Sequence, residues 1–181
     1  MKPPPLSLYV HLPWCVRKCP YCDFNSHTAG DAAPKKRYIE ALLADLDRET
    51  VRAAGRPLTS IFLGGGTPSL FLPEEIGRII DGVRSRFTLA DNLEVTMEAN
   101  PGTVECGTPA GYLGAGVTRL SVGAQSFDDE LLSTLGRIHS SADITRAVID
   151  AENAGFDNIN IDLMHGLPGQ DVERAMADVQ A

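Results

Sequence analysis

The sequence lacks the long apolar segments that are typical of membrane and secreted proteins. No apolar run approaches the roughly 18 residues that a spanning helix needs, and the N-terminal stretch MKPPPLSLYVHL has no signal-peptide core. The sequence also has fewer positive than negative charges: 16 Lys and Arg and 24 Asp and Glu give a net charge of −8. We therefore expect a cytoplasmic protein without a membrane span, whose acidic surface disfavours nucleic acid as a partner.

Cysteine is scarce, yet it is concentrated in one place. Three of the four cysteines, Cys15, Cys19 and Cys22, fall within the stretch YVHLPWCVRKCPYCDFNSH, residues 9–27. In a reducing compartment such a cluster is more often a metal or redox site than a disulfide framework. Arg17 and Lys18 flank the thiols, and nearby positive charge favours the thiolate form that binds metals.

Strand signals alternate with helix signals along the chain. Short β-rich runs occupy residues 6–11, 58–63, 93–97, 119–122 and 158–163. Helical periodicity occupies residues 34–54, 73–87, about 144–151 and the last stretch, DVERAMADVQA. The Gly- and Pro-rich residues 106–116 predict only a short element. Strands separated by helices imply a parallel sheet with right-handed crossovers.

A polar or glycine-rich cluster follows each of the five predicted strands. The clusters read HLPWCVRKCPYC, GGGTPS, EANPG, GAQSF and MHGLPG. In barrel enzymes the loops after the strands build the active site, whereas an open sheet concentrates its site at one switch point. The pattern therefore favours an α/β barrel. Five strands cannot close a barrel, so we expect more chain in the parent protein.

Two kinds of metal site are compatible with three closely spaced thiols. Structural zinc would need a fourth ligand, for which His27, Cys106 and His11 are candidates, although the usual second pair of ligands is missing. An iron–sulfur cluster normally takes four cysteines. With three, one iron of a four-iron cluster would have no protein ligand and could coordinate a small molecule.

The arrangement CxxxCxxC directly after a first barrel strand resembles the radical S-adenosylmethionine (SAM) superfamily. In that family SAM chelates the open iron of a [4Fe–4S] cluster. Reduction of its sulfonium gives methionine and a 5′-deoxyadenosyl radical, which abstracts hydrogen from a substrate. The resemblance implies a partial TIM-like radical SAM (β/α)6 barrel with about five βα units present. It also implies one core domain over residues 1–181, truncated at its C-terminal end.

A longer series of strings narrows the resemblance. In chain order, LYVHLPWC, CPYCDFNSH, GGGTPS, MEANPGTV, GAQSF, LGRIH and DLMHGLPGQ are similar to the coproporphyrinogen III dehydrogenase-like branch. The true dehydrogenases carry an additional cysteine two residues after the third ligand. This sequence has Phe24 there, as the heme chaperones of the branch do.

The resemblance implies two alternative functions. The first is a heme chaperone that binds a [4Fe–4S] cluster, SAM and heme and delivers heme to acceptor hemoproteins; a homodimer is compatible with this interpretation. The alternative is an oxygen-independent coproporphyrinogen III dehydrogenase, which decarboxylates propionates to protoporphyrinogen IX in porphyrin biosynthesis. Whether the protein is an enzyme therefore stays open. The heme-associated motif of the chaperones lies in a C-terminal region that this chain does not reach.

The matching positions also imply a ligand set. The cluster ligands would be Cys15, Cys19 and Cys22. The SAM contacts would be Tyr9, Tyr21, Gly65, Gly66, Thr67, Glu98, Gln125, Arg137 and Asp162. Singly, such residues would be a tight turn, caps or solvated loop positions. Together, carboxylates can accept hydrogen bonds from a ribose, and an arginine suits the carboxylate of SAM.

Overall fold

The computed structural model describes residues 4–30, 33–102 and 106–181. The strands in these ranges are β1 (Leu6–Leu12), β2 (Trp14–Cys15), β3 (His27–Thr28), β4 (Leu58–Gly65), β5 (Leu89–Ala99), β6 (Arg119–Gln125) and β7 (Ile159–Leu163). The helices are α1 (Lys35–Ala53), α2 (Pro73–Arg84), α3 (Pro109–Gly114), α4 (Asp129–Thr134), α5 (Ser141–Ala154) and α6 (Val172–Gln180).

Local sequence explains where the longer helices begin and end. Pro73 occupies the first turn of α2, where its missing N–H leaves no helical hydrogen bond unmade. Helix α5 begins with a reciprocal capping box between Ser140 and Asp143 and ends at Gly155, whose φ of 100° is easily reached without a side chain. The predicted helix at 73–87 therefore stands, although it ends at Arg84.

The main sheet has five strands in the order β1-β4-β5-β6-β7, and all the pairs are parallel. Each strand lies beside the next main strand along the chain, with helical structure between them. This order has no reversal, and so no switch point of the kind that an open doubly wound sheet uses. The predicted partial barrel is confirmed.

The two faces of the sheet differ in polarity. In β4, Ile61 and Leu63 are fully buried against the helices and belong to the main core. Because side chains alternate across a strand, Ser60 and Phe62 point to the opposite, inner face. Polar pairs join neighbouring strands there, such as Ser7 with Ser60 at 2.7 Å between hydroxyl oxygens. The outer face thus stabilises the fold and leaves the inner face available for ligands.

Several short parts of the fold were not predicted, including a 3-10 turn at Pro68–Leu70. Residues Trp14 and Cys15 pair with His27 and Thr28 in the short β2–β3 ladder, and the six-residue helix α4 follows β6. The expected short element between the third and fourth main strands is α3. None of the helices in the described ranges combines the length and apolarity that crossing a bilayer requires.

Candidate functional site

A cavity of about 440 Å³ opens at the carboxyl ends of the main strands. It brings together all but one of the predicted cluster ligands and SAM contacts. Its lining includes Cys15, Cys19, Tyr21, Cys22, Gly65, Gly66, Thr67, Glu98, Gln125, Arg137 and Asp162. These residues come from the carboxyl-terminal parts of the main strands and from the loops that follow them, as the barrel interpretation requires.

The cysteine loop, residues 15–27, is held closed by backbone hydrogen bonds at its base. The N–H of His27 donates to the carbonyl of Pro13 at 2.7 Å, and the N–H of Ala29 donates to the carbonyl of Cys15 at 2.7 Å. Within the loop, the Lys18 ammonium donates to the carbonyls of Phe24 and Ser26 at 3.0 and 3.2 Å. The loop therefore keeps the three thiols beside the cavity without a disulfide.

The glycine-rich turn after β4 lies against the start of this loop. Gly66 N–H donates to the carbonyl of Leu12 at 2.8 Å, and Thr67 N–H donates to the carbonyl of Trp14 at 2.7 Å. A Cβ on Gly66 would lie 2.6 Å from the Trp14 carbonyl oxygen, closer than atoms can approach. Gly65 has a φ of 110°, a conformation that favours glycine. Both glycines are thus required by the backbone geometry.

Arg137 connects the cysteine loop with the ends of β5 and β6. Its Nη2 donates to the side-chain oxygen of Asn100 and the carbonyl of Gly123, each at 2.7 Å. Its Nη1 reaches the Tyr21 hydroxyl at 3.4 Å and the Cys19 sulfur at 3.6 Å. Its Nε is buried and finds no acceptor among the described residues. One donor of the guanidinium is therefore unsatisfied among the described residues.

Asn100 was missed by sequence reasoning, although it stands inside the EANPG string. Its amide nitrogen donates to the Thr67 hydroxyl at 2.9 Å while its oxygen accepts from Arg137. Gly123 makes room for this convergence, since a Cβ there would lie 2.9 Å from the Asn100 oxygen and 3.0 Å from the Gln125 amide nitrogen. Asn100 thus joins the glycine-rich turn to Arg137.

The carboxylates of the cavity stand in different surroundings. Burial raises the pKa of Glu98 above its ordinary value, the hydrogen bond from the Gly65 N–H partly counters this at 3.0 Å, and the charge of Asp162 adds to the rise. Asp162 accepts from the Ser121 hydroxyl at 2.9 Å and the Asn160 amide at 2.7 Å. Both carboxylates are thereby held in fixed positions on the inner face.

The aromatic hydroxyls in and beside the site are held in their protonated form. Burial raises the pKa of Tyr21, while the charge of Arg137 acts in the opposite direction. Tyr9 is the predicted contact that does not line the cavity. Its side chain is 56% exposed, its hydroxyl lies 3.0 Å from Nδ1 of His11, and its ring stacks on Phe62. Tyr9 therefore lies beside the Gly65 turn, outside the cavity lining.

The zinc candidates lie elsewhere. His27 and Cys106 are exposed, and the His11 ring nitrogens face the Tyr9 hydroxyl and the Asn25 carbonyl. None of the three lines the cavity. Across residues 4–30, 33–102 and 106–181, no three His, Cys, Asp or Glu side chains are grouped around a single metal position. This arrangement gives no fourth zinc ligand to the thiols.

The donor chemistry does fit an iron–sulfur cluster. Each cysteine of such a cluster binds its own iron, so the thiols need to face one cavity and need not converge on a single point. Cys15, Cys19 and Cys22 meet this condition, and Arg137 provides positive charge next to Cys19. The Arg137 guanidinium, whose buried Nε has no acceptor among the described residues, supplies positive charge for a second, anionic group beside it.

Comparison with known proteins agrees with this geometry. The chain is 51% identical over 180 residues to the heme chaperone HemW of Escherichia coli (strain K12), covering 99% of this chain and 48% of that protein. It is 50% identical over 183 residues to HemW of Haemophilus influenzae, again covering 99% and 48%. The chain thus spans about half the length of the curated relatives it matches.

A solved structure and a family model also match this chain. The chain superposes on the coproporphyrinogen III oxidase HemN from Escherichia coli, described as a radical SAM enzyme, with a TM-score of 0.84 and 30% identity. The match covers 97% of this chain and 41% of that one. The family model of the radical SAM superfamily matches residues 9–179, which include the end of β1, the cysteine loop, the glycine-rich turn and the other four main strands. The chain therefore belongs to the radical SAM superfamily.

Proposed function

We propose that residues 1–181 form one radical SAM core domain of a heme chaperone. In this proposal the chain holds a [4Fe–4S] cluster and SAM, and the whole protein binds heme and delivers it to acceptor hemoproteins. The observation that carries the proposal is that three thiols, the glycine-rich turn and Arg137 line one cavity. The 51% identity to the Escherichia coli heme chaperone HemW supports the choice within the superfamily.

The cluster would be held by Cys15, Cys19 and Cys22. A four-iron cluster with one open iron can coordinate a small molecule and supply it with an electron. The chain's own part is to place the thiols, and a cytoplasmic location would keep them reduced. The Lys18 hydrogen bonds fix the loop, and the Arg137 guanidinium lies beside the Cys19 sulfur.

SAM would lie between the cysteine loop and the ends of β4 to β7. The backbone of Gly65 and Gly66 permits close approach, and Thr67 lies at the same edge. The Arg137 guanidinium suits the SAM carboxylate, whereas Glu98 and Asp162 can accept from ribose hydroxyls. The remaining proposed contacts are Tyr21 and Gln125 in the cavity and Tyr9 beside the Gly65 turn.

A second candidate function is oxygen-independent coproporphyrinogen III dehydrogenase. The superposition on HemN, with a TM-score of 0.84, favours it. Phe24 argues for the chaperone instead. Its side chain borders the cavity, is 61% exposed and occupies the position where the dehydrogenases of the branch carry an additional cysteine. A phenyl ring offers neither a thiolate nor a proton for chemistry.

One preparation of the full-length protein tests both candidates. After anaerobic reconstitution, about four iron and four sulfide per chain should be found, as a [4Fe–4S] cluster requires. The chaperone proposal expects stable heme capture and no consumption of coproporphyrinogen III. Anaerobic consumption of that substrate with matching release of 5′-deoxyadenosine would favour the dehydrogenase. One zinc per chain, with no sulfide, would overturn both.

A further inference from the structure

A buried carboxylate on α6 lies among neutral hydrogen-bond donors. Asp178 is 5% exposed, and its two oxygens each lie 2.9 Å from the Ser126 hydroxyl, which is itself fully buried. It also accepts from the backbone N–H of Phe127 at 2.7 Å and from the Gln170 amide at 3.2 Å. An ionised carboxylate is unfavourable in such a place unless donors satisfy it, so this set of contacts is specific.

The contacts converge on the turn that follows β6. The Ser126 hydroxyl, besides donating to Asp178, accepts from the N–H of Asp128 at 3.0 Å, where α4 begins. Gln170 in turn accepts from the N–H of Leu167 through its side-chain oxygen at 3.2 Å. Asp178 therefore ties the loop after β6 to the loop after β7.

The residue just before this turn has an unfavourable backbone. Gln125 has a φ of 74°, in the left-handed region that favours glycine. Side-chain-bearing residues keep such a conformation where the surrounding structure enforces it, and they concentrate at functional sites. Two sides of Gln125 are fixed: its carbonyl accepts from the N–H of Met164 at 2.9 Å, and Asp178 anchors Ser126 and Phe127 after it.

The strained conformation has a consequence for the cavity. It places the Gln125 side chain in the cavity lining, near Asn100 and Arg137 around Gly123. We propose that Asp178 is a positioning residue, which acts through the Ser126–Phe127 turn to hold the Gln125 carboxamide toward SAM. This inference rests on the proposed SAM site. It makes α6, a helix outside the cavity lining, a determinant of ligand affinity.

A double-mutant cycle on the anaerobically reconstituted protein tests this role. The variants are Asp178→Ala, Gln125→Ala and the double variant, each measured for SAM affinity by equilibrium dialysis and for iron content. Asp178→Ala should weaken SAM binding roughly threefold to tenfold, the loss expected for one neutral hydrogen bond. In the Gln125→Ala background the same change should cause no further loss. Asp178→Asn keeps an acceptor for the Phe127 N–H and should fall between wild type and Asp178→Ala.

Asp171→Ala serves as the matched control. Asp171 caps the same helix by accepting from the Arg174 N–H at 2.8 Å, and it has no hydrogen bond to the Gln125 turn. This variant should lower the thermal midpoint and leave SAM affinity unchanged. A purely structural role for Asp178 would weaken SAM binding equally in both Gln125 backgrounds, or in neither, and would overturn the inference.

Failure of the inference can be told from failure of the proposed function. If the wild-type protein binds no SAM, the proposed function fails and the positioning role fails with it. If the wild-type protein binds SAM and both Asp178 variants bind it equally well, only the positioning role fails. Should Asp178→Ala not fold, Asp178→Asn alone and with Gln125→Ala completes the cycle.

Discussion

Replacing Gly66 with alanine should push the glycine-rich turn away from the cysteine loop. The added Cβ would lie 2.6 Å from the Trp14 carbonyl oxygen, 2.7 Å from the Leu12 carbonyl oxygen and 2.8 Å from the Pro13 carbonyl carbon. All three atoms belong to the backbone, so no side chain can rotate out of the way. Overpacking of this kind costs roughly 1–3 kcal/mol.

The hydrogen bonds at the same point add to the loss. Two hydrogen bonds must lengthen if the turn moves: from the Gly66 N–H to the Leu12 carbonyl, now 2.8 Å, and from the Thr67 N–H to the Trp14 carbonyl, now 2.7 Å. Each contributes about 1 kcal/mol. We therefore expect Gly66→Ala to lower the free energy of unfolding of the metal-free protein by about 3 kcal/mol. Urea unfolding followed by circular dichroism measures this directly.

Gly77→Ala is the matched control, because it adds the same methyl group at a position with room for it. A Cβ on Gly77 would make an ordinary contact of 3.6 Å with the Ala115 Cβ, and the residue lies inside α2. Alanine in a helix interior is more favourable than glycine by roughly 0.5–1 kcal/mol, so this variant should gain stability. A Gly66→Ala protein with the wild-type urea midpoint, or a Gly77→Ala protein that loses as much as it, would refute the reasoning.

Two further substitutions test the cavity. Cys19→Ala should abolish the iron content of the reconstituted protein while Cys106→Ala, at an exposed thiol outside the cavity, retains it; equal iron in both would contradict the ligand assignment. The pKa of Glu98 in the folded protein is raised above its ordinary value of 4.5. The protonated carboxyl therefore contributes to the free energy of unfolding below pH 4.5, and this contribution is lost as the pH rises through the folded-state pKa. Glu98→Gln should therefore flatten the decline of the thermal midpoint as pH rises from about 4.5, while weakening SAM binding; an unaltered pH profile would show that burial of Glu98 carries no penalty.

The fold could be predicted where apolar residues repeat at one regular spacing over a long segment. Ile76, Ile79, Ile80 and Val83 repeat at helical spacing, and all four are buried against the sheet on α2. The β2–β3 ladder escaped notice because it pairs only two residues of each strand, too few for any period to emerge. Its pairing depends on the closure of the whole cysteine loop, which is a tertiary event.

The site was predictable to the extent that strand ends mark it. The cysteines and the glycine-rich turn can be recognised from their spacing, and both lie at the end of the barrel where its loops meet. Asn100 and Asp178 could not be recognised from sequence, since their roles depend on partners 37 and 52 positions away. Such contacts leave no local pattern. A lone Asn in a turn and a lone Asp on a helix are as compatible with solvent exposure as with a site.

The arrangement of the sheet limits where stability and ligand binding can affect one another. Core side chains such as Ile61 lie on the outer face, and Asp162 lies on the inner face, so most substitutions should alter one property alone. The exceptions are backbone positions at the strand ends. Gly66 and Gln125 each hold an unusual local geometry that packing enforces and that the cavity needs. Because the same contacts maintain the fold and shape the cavity there, substitutions at these two turns should reduce both together.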